Sequence, residues 1–221
     1  MFNRIVAACV LLAPGIAAAA DLQSPSLSQV TFDWNGPYLG AEIGGGWFND
    51  QAGYDPRALS IDTSGLLGGI YGGYNWQTPS NIVLGVDSDF TFNGIDGDGH
   101  NSNGYSGSNE WKWTGAVRGR LGYAFDRFLP YVAGGFSYGR IGTTIAYPGG
   151  AVVEGKKTVT GWTIGGGIDY AVTNNLIARV EYRYSDFGSN KIPTTYNGQP
   201  WADAEVLSNI HDIRVGLSYK F

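Results

Sequence analysis

Alternation between large apolar residues and small or charged residues recurs along this chain and limits what it can fold into. In the closing stretch HDIRVGLSYKF, every second residue from Ile213 to Phe221 is apolar, and the residues between them are charged, Gly or Ser. A period of two residues is typical of a β-strand with one apolar face. About eight such segments can be recognised, the smallest usual number for a transmembrane barrel. They cover residues 38–47, 65–76, 82–92, 111–123, 130–141, 159–170, 176–187 and 211–221.

The N-terminus has the features of an export signal. Arg4 precedes a short apolar run at 5–13, and three alanines at 18–20 offer a cleavage site before Asp21. We therefore predict a signal peptide over 1–20, a flexible segment over 21–33 and a barrel domain over 34–221. The single Cys lies in the signal peptide, which excludes a disulfide framework from the mature chain. Cleavage removes one of 14 Lys and Arg residues and none of 19 Asp and Glu. An acidic exported chain of this kind is a poor candidate for nucleic-acid binding.

The connections between the segments alternate in length. Residues 77–81, 124–129 and 171–175 are short connections, whereas 48–64, 93–110, 142–158 and 188–209 are long and polar. Outer-membrane barrels have short turns on the periplasmic side and longer loops outside. After the signal peptide no apolar run approaches 18 residues, but tilted strands of about 9–11 residues can also cross a bilayer. The fold predicted is an all-β, eight-stranded, antiparallel up-and-down transmembrane barrel in the cell outer membrane.

Composition predicts which face of the strands points inward. The apolar face is large and aromatic, while the other face combines Gly, Ser and Thr with charges, which suits a narrow interior. Acids and bases are nearly balanced there, as buried ions require. The predicted network in the lumen consists of Glu42, Asp87, Asp89, Lys112, Arg118, Arg120, Asp169, Arg179, Glu181, Arg183, Asp212 and Arg214.

Aromatic residues concentrate near the ends of the predicted strands, where the membrane interfaces would lie. Aromatics are also ordinary strand formers, so this placement supports the barrel without deciding it. The predicted periplasmic rim comprises Trp34, Trp76, Tyr123, Tyr170, Tyr219 and Phe221. The predicted outer rim comprises Trp47, Phe92, Trp111, Trp113, Trp162 and Tyr184.

Several short motifs resemble the small outer-membrane β-barrel family of alphaproteobacteria, an OmpA-like group of porin-family proteins. These are WNGPYLG from Trp34, RGRLGY from Arg118, PYVAGG from Pro130, VEYRY from Val180 and VGLSYKF from Val215. The resemblance spans residues 32–221. It implies that Tyr219 and Phe221 form the C-terminal signal that the barrel-assembly machinery reads. It also implies lipid and lipopolysaccharide as surroundings.

Candidates for catalysis or cofactor binding are sparse. His211 opens the last segment, and no Ser/His/Asp constellation accompanies it, although Asp186 could meet it on a neighbouring strand. His100 follows Asp96 and Asp98, but Gly107 stands where an EF-hand needs its last Glu. We therefore predict no enzyme activity, no cofactor and no metal site.

Three functions remain open at this stage. The first is a structural and surface-interaction protein that presents four long loops to lipopolysaccharide, host or phage. The second is a narrow passive pore with the lumen charges as its constriction, although an eight-stranded barrel is only wide enough for side chains. The third is a barrel whose loops hold haem or a cation near His100.

Overall fold

The computed structural model describes residues 32–52, 59–100, 106–146, 150, 152–196, 199–200 and 203–221. Side chains are described for all of these except 48–52, 59–63, 95–100, 107, 109, 145 and 204–207. Within the described residues, no helix is long and apolar enough to cross a membrane. The predicted signal peptide lies outside the described residues.

The described chain is built from antiparallel strands that close into a barrel. Seven long strands come first: β1 (Gly36–Ala52), β2 (Leu59–Gln77), β3 (Ile82–His100), β4 (Ser106–Tyr123), β5 (Phe128–Ala146), β6 (Val152–Ala171) and β7 (Leu176–Ile192). Two short strands, β8 (Thr194–Tyr196) and β9 (Gln199–Pro200), extend the outer end of β6. The last strand, β10 (Ala204–Lys220), completes the ring by pairing with both β7 and β1.

Strands β1 to β6 each pair with the next one along the chain, β7 pairs with β10, and β10 pairs back with β1. The sheet therefore has no free edge along the barrel wall. A closed sheet pairs its backbone N–H and C=O groups internally, as hydrocarbon surroundings require. The prediction of an eight-stranded antiparallel up-and-down barrel is confirmed.

The strands continue well beyond the segments recognised by alternation. Pairing extends to Ala52↔Leu59, His100↔Ser106 and Ala146↔Val152, so most of the residues predicted as long loops belong to strands. Outside the bilayer neither face of a strand needs to be apolar, so the period-two signal fades while the backbone ladder continues. Composition rich in Gly, Asp, Ser and Asn then resembles a loop.

The outward face of the barrel is a wide apolar band. Ile43 and Leu66 expose 67% and 78% of their surface, and large apolar residues of comparable exposure occur on all eight long strands. An exposed apolar surface of this extent is a membrane-contact surface rather than a water-facing one. The polar face of the strands therefore points into the lumen.

The periplasmic end of the lumen is closed by apolar side chains. The inner apolar cluster consists of Phe32, Trp34, Val83, Ala124, Leu129, Ala171 and Ile177. Residues before β1 cross the barrel mouth: the Trp34 backbone N–H donates to Gln77, and its indole N–H donates to the Asp126 carbonyl, at 2.8 and 2.9 Å. Packing thus begins by Phe32, two residues before the predicted start of the barrel domain. Trp34, predicted among the interfacial aromatics of the periplasmic rim, lies at that end of the barrel but inside its mouth.

A second apolar cluster fills the opposite end. The outer apolar cluster consists of Trp111, Ile141, Val159, Phe187, Ile192 and Ile210. All six lie toward the outer ends of their strands, and Trp111 packs against Phe187 with ring centroids 4.8 Å apart. Trp111 was predicted to face lipid, and it faces the lumen. The charged residues are therefore held between two apolar clusters.

Candidate functional site: the charged layer of the lumen

Eleven of the twelve residues predicted to line the lumen meet in one layer inside the barrel. None of the eleven is more than 4% exposed. This charged layer consists of Glu42, Asp87, Asp89, Arg118, Arg120, Asp169, Arg179, Glu181, Arg183, Asp212 and Arg214.

Arg118 joins opposite walls of the barrel. Its Nε and Nη2 donate to the Asp87 carboxylate on neighbouring β3, at 2.9 and 3.1 Å. Its Nη1 and Nη2 donate across the lumen to Glu181 on β7, at 2.7 and 3.1 Å. Such bidentate, charge-assisted pairs are the strong ones. The guanidinium thus occupies the middle of the lumen.

Arg183 and Arg214 continue the layer outward. Arg183 donates to Glu181 on its own strand at 2.9 Å and to Asp89 on β3 at 2.8 Å. Arg214 makes a bidentate pair with Asp212 at 2.6 and 3.2 Å, and its Nη1 contacts both Glu42 and Asp89. Three carboxylates therefore converge on the single guanidinium of Arg214.

The periplasmic part of the layer has the opposite balance. Asp169 accepts two hydrogen bonds from Arg179, at 2.8 and 3.1 Å, and one from Arg120 at 2.8 Å. Arg179 also lies 3.8 Å from Asp87. Here one carboxylate stands between two guanidinium groups, whereas the other five carboxylates are grouped with three. In total the layer holds one more carboxylate than guanidinium groups.

Three tyrosines complete the periplasmic part, and sequence reasoning missed them. Tyr131 donates to Glu181 at 2.6 Å, and its ring centroid lies 3.9 Å from the Arg120 guanidinium carbon. Arg179 lies 4.3 Å from the ring centroid of Tyr71, and Arg120 donates to the Tyr38 hydroxyl at 3.1 Å. Cation–π contacts of this kind stabilise desolvated guanidinium groups.

A signal for these tyrosines was present in the sequence. Tyr71 and Tyr131 each sit one residue from an outward-facing apolar residue, so period two directs them inward. Glycines on nearby strands leave the space that these tyrosines occupy. A Cβ on Gly216 would lie 2.9 Å from the Tyr71 ring, and one on Gly73 would lie 2.6 Å from the Tyr38 hydroxyl.

Lys112 does not belong to the charged layer, and its prediction as a lumen residue is wrong. Its side chain is 42% exposed and lies 3.5 Å from Glu110. The pairing of β4 with β5 passes from Trp111↔Ile141 to Trp113↔Arg140, so Lys112 is an extra residue in the ladder. A bulge of this kind reverses the facing of every residue beyond it. Lys112 therefore faces outward, and Trp111 faces inward.

Little free space remains beside the charged layer. A cavity between this layer and the outer apolar cluster measures about 10 Å³. That is near the lower limit for one water molecule. Its lining includes Asp89, Asp212, Arg183 and Arg214, together with Ser137, whose hydroxyl has no hydrogen-bond partner among the described residues. The side chains that line this cavity therefore leave room for about one water molecule.

Comparison with known proteins agrees with this architecture. The profile of the family described as outer membrane protein beta-barrel domain matches residues 5–221. The chain belongs to this family. The outer-membrane location predicted from the sequence is thereby confirmed.

Relatives of this outer-membrane barrel come from alphaproteobacteria. The 31 kDa outer-membrane immunogenic protein of Brucella melitensis is 34% identical, and the alignment covers 100% of both chains. The 22 kDa outer membrane protein of Rhizobium leguminosarum bv. viciae is 38% identical over 71% of this chain and 65% of its own length. The crystal structure of the outer membrane protein OprG from Pseudomonas aeruginosa covers 85% of this chain and 96% of its own at 14% identity, with a TM-score of 0.55. That likeness supports the fold alone.

Elsewhere on this outer-membrane barrel, His211 lies on the outward face within an aromatic group. Its Nδ1 is 2.8 Å from the Tyr182 hydroxyl, and its ring is stacked on Trp47 with centroids 5.8 Å apart. Asp186, the possible partner considered from the sequence, accepts from the Tyr184 hydroxyl at 3.4 Å and from the Gly188 N–H at 2.7 Å. These contacts describe an interfacial aromatic group rather than an acid–base pair.

Two further predictions concern the strand ends. The side chains of Asp96, Asp98 and His100 lie outside the described residues, so the alternative of a haem or cation loop stays a prediction. Tyr219 and Phe221 face outward with 51% and 68% exposure, and their rings pack edge to face at 5.1 Å. Their role as the assembly signal also stays a prediction. Among the described residues, no group of three or more His, Cys, Asp or Glu side chains could hold a metal ion.

Proposed function

We propose that this barrel is a non-conducting structural and surface-interaction protein of the outer membrane. It inserts with the help of the barrel-assembly machinery, seals its own lumen, and presents its outer hairpins to lipopolysaccharide, host or phage. It carries out no chemical reaction in this role.

The observation that carries the proposal is the interlocked charged layer. Ion pairs join β4 to β7 and β3 to β10 across the lumen, and apolar clusters pack above and below them. Opening a path for ions would separate buried charges, each of which is costly to leave unpaired. The Brucella relatives are named outer-membrane immunogenic proteins, which supports contact between the outer portion and a host.

A planar-bilayer recording tests the seal. The refolded full-length barrel should give no step openings, while a sixteen-stranded porin in the same bilayer should give them. Steps from the barrel preparation that are absent from a detergent blank would overturn the proposal in favour of a narrow pore.

Epitope tags test the presentation of the outer hairpins. A tag inserted within residues 53–58 should bind antibody on intact cells, because this connection joins the outer ends of β1 and β2. The same tag between Pro79 and Ser80, in the short turn after β2, should bind only after the outer membrane is permeabilised. Equal labelling of both on intact cells would contradict the proposed orientation.

A further inference from the structure

Three cations lie together on the outward, membrane-facing wall of β4, β5 and β6. Lys112, Arg140 and Lys156 are all exposed. All three lie at the outer margin of the apolar band, where an ion can meet headgroups and avoid the several kcal/mol that an ion facing hydrocarbon costs. Three cations on one sector of this margin form a candidate site for an anion.

Register brings the three side chains to one place. Lys112 is the bulge residue beside the Trp113↔Arg140 pair, and Lys156 is the cross-strand partner of Gly142, two residues from Arg140. Gly142 has no side chain, and a Cβ there would lie 3.8 Å from the Lys156 Cγ. The cations thus lie around Gly142, beside the Glu110 carboxylate, and we call this group the β4–β6 cation site.

Aromatic residues fix the depth of this site in the membrane. Trp113 and Tyr138 lie on the same outward face, next to the site on the side of the membrane midplane, with ring centroids 6.1 Å apart. Phe136 and Trp162, a cross-strand pair, follow one step closer to the midplane. Tyr and Trp side chains collect at the boundary between hydrocarbon and headgroups. The cation site therefore lies at headgroup level in the outer leaflet.

Charge at the site is only partly compensated by the protein. Lys112 pairs with Glu110 at 3.5 Å, and Glu154 lies two residues from Lys156 toward the outer end of β6. Arg140 and Lys156 form no ion pair with any of the described residues. Among the described side chains, three cations stand against two acids, and the backbone register places a further acid, Asp96, opposite Glu110. An Arg guanidinium with two Lys ammonium groups suits phosphate, which can accept several hydrogen bonds at once.

We propose that the β4–β6 cation site binds the phosphate groups of a phosphorylated glycolipid, the lipid A portion of lipopolysaccharide in the outer leaflet. The acyl chains would lie along the apolar wall below, beside Trp162 and Phe136. This deepens the proposed function by naming one lipid contact, and it rests on that function only for the orientation of the barrel.

Lipid binding by the refolded full-length barrel tests the site. The probe is deep-rough lipopolysaccharide with both lipid A phosphates, compared with the same lipid after enzymatic dephosphorylation. Native mass spectrometry reports the bound fraction during titration. The test variant carries Lys112→Gln, Arg140→Gln and Lys156→Gln, and the control carries Arg127→Gln and Lys220→Gln at the periplasmic end. A heat-modified gel shift verifies that each variant is folded.

We expect the triple variant to bind the phosphorylated lipid roughly 10- to 100-fold more weakly than the wild type, from about 1 kcal/mol per surface cation less the effect of the acids. The control should bind as the wild type does, and dephosphorylated lipid should bind weakly throughout. Unchanged binding by the triple variant, an equal loss in the control, or equal binding of both lipids would overturn the site. Channel activity with intact lipid binding would overturn the proposed function and leave this site standing.

Discussion

At the scale of single residues, the stability of the charged layer depends on every buried charge having a partner rather than on the number of ion pairs. A buried pair is close to neutral when compared with apolar packing, but removing one partner leaves an uncompensated charge. Removal of Glu181 should show this effect most clearly, because its carboxylate accepts hydrogen bonds from Arg118, Arg183 and Tyr131.

Replacing Glu181 with Leu should therefore lower the free energy of unfolding by about 3–5 kcal/mol. The measurement is the denaturant midpoint of the refolded barrel, supported by its heat-modified gel shift. Arg118→Met/Glu181→Leu removes the charges on both sides of one pair and is the matched control, which should recover part of the loss. A Glu181→Leu midpoint equal to the wild type would contradict the paired-lumen description.

The uneven charge balance makes a second residue-level prediction. Glu42 is one of three carboxylates on Arg214, whereas Asp169 is the carboxylate shared by Arg120 and Arg179. Glu42→Gln keeps a hydrogen-bonding group and removes surplus negative charge, so its cost should not exceed about 1 kcal/mol. Asp169→Asn should cost about 3–5 kcal/mol, because two guanidinium groups lose their main partner. Unfolding curves for the two isosteric variants decide this, and equal costs would show that local balance is irrelevant.

At the scale of strands, the sequence contained enough to predict the number, direction and facing of the eight long strands, because bilayer and lumen impose opposite chemistry on alternate residues. Predictions failed where that contrast ends. Trp111 and Lys112 were assigned to the wrong faces since a bulge adds one residue without any marker in the hydrophobic pattern. The outer ends of the strands were read as loops for the related reason that their outward faces need not be apolar beyond the bilayer.

The segment before β1 was the other element that pattern could not predict. Trp34 precedes the first strand, so no alternation specifies its direction, and a Trp near a strand end was read as interfacial. Its burial depends on hydrogen bonds that it donates to Gln77 and Asp126, which lie 43 and 92 positions away. Tertiary contacts of this range are invisible to local periodicity.

This segment provides an element-level prediction. Trp34 is 1% exposed inside the periplasmic mouth, whereas Trp76 is 51% exposed on the outward wall at the same end. Trp34→Ala should lower the free energy of unfolding by about 3–5 kcal/mol, because it empties a packed site. Trp76→Ala removes the same side chain from a lipid-facing position and should cost clearly less. Denaturant unfolding in the same lipid compares them, and the reverse order would contradict the packed mouth.

At the scale of the whole molecule, the proposed seal of the lumen consists of three layers in series. The inner apolar cluster, the charged layer and the outer apolar cluster follow one another along the lumen, and each takes side chains from several strands. Barriers in series block ion flow as long as one of them holds. The seal should therefore tolerate the loss of any one layer, even where that loss reduces stability.

Bilayer recordings on two folded variants can test this serial arrangement. Arg118→Ser/Glu181→Ser removes one acid and one base, so it opens the charged layer without changing net charge, and it should stay silent because both apolar clusters remain. Adding Trp34→Ala and Phe187→Ala removes a large side chain from each cluster, and only this combined variant should give step openings. Steps from the first variant would mean that the charged layer alone forms the barrier. If the gel shift shows that the combined variant is folded and it still gives no step openings, the remaining side chains must collapse into the emptied space. The barrier to ions would then be the narrowness of an eight-stranded barrel rather than its three layers.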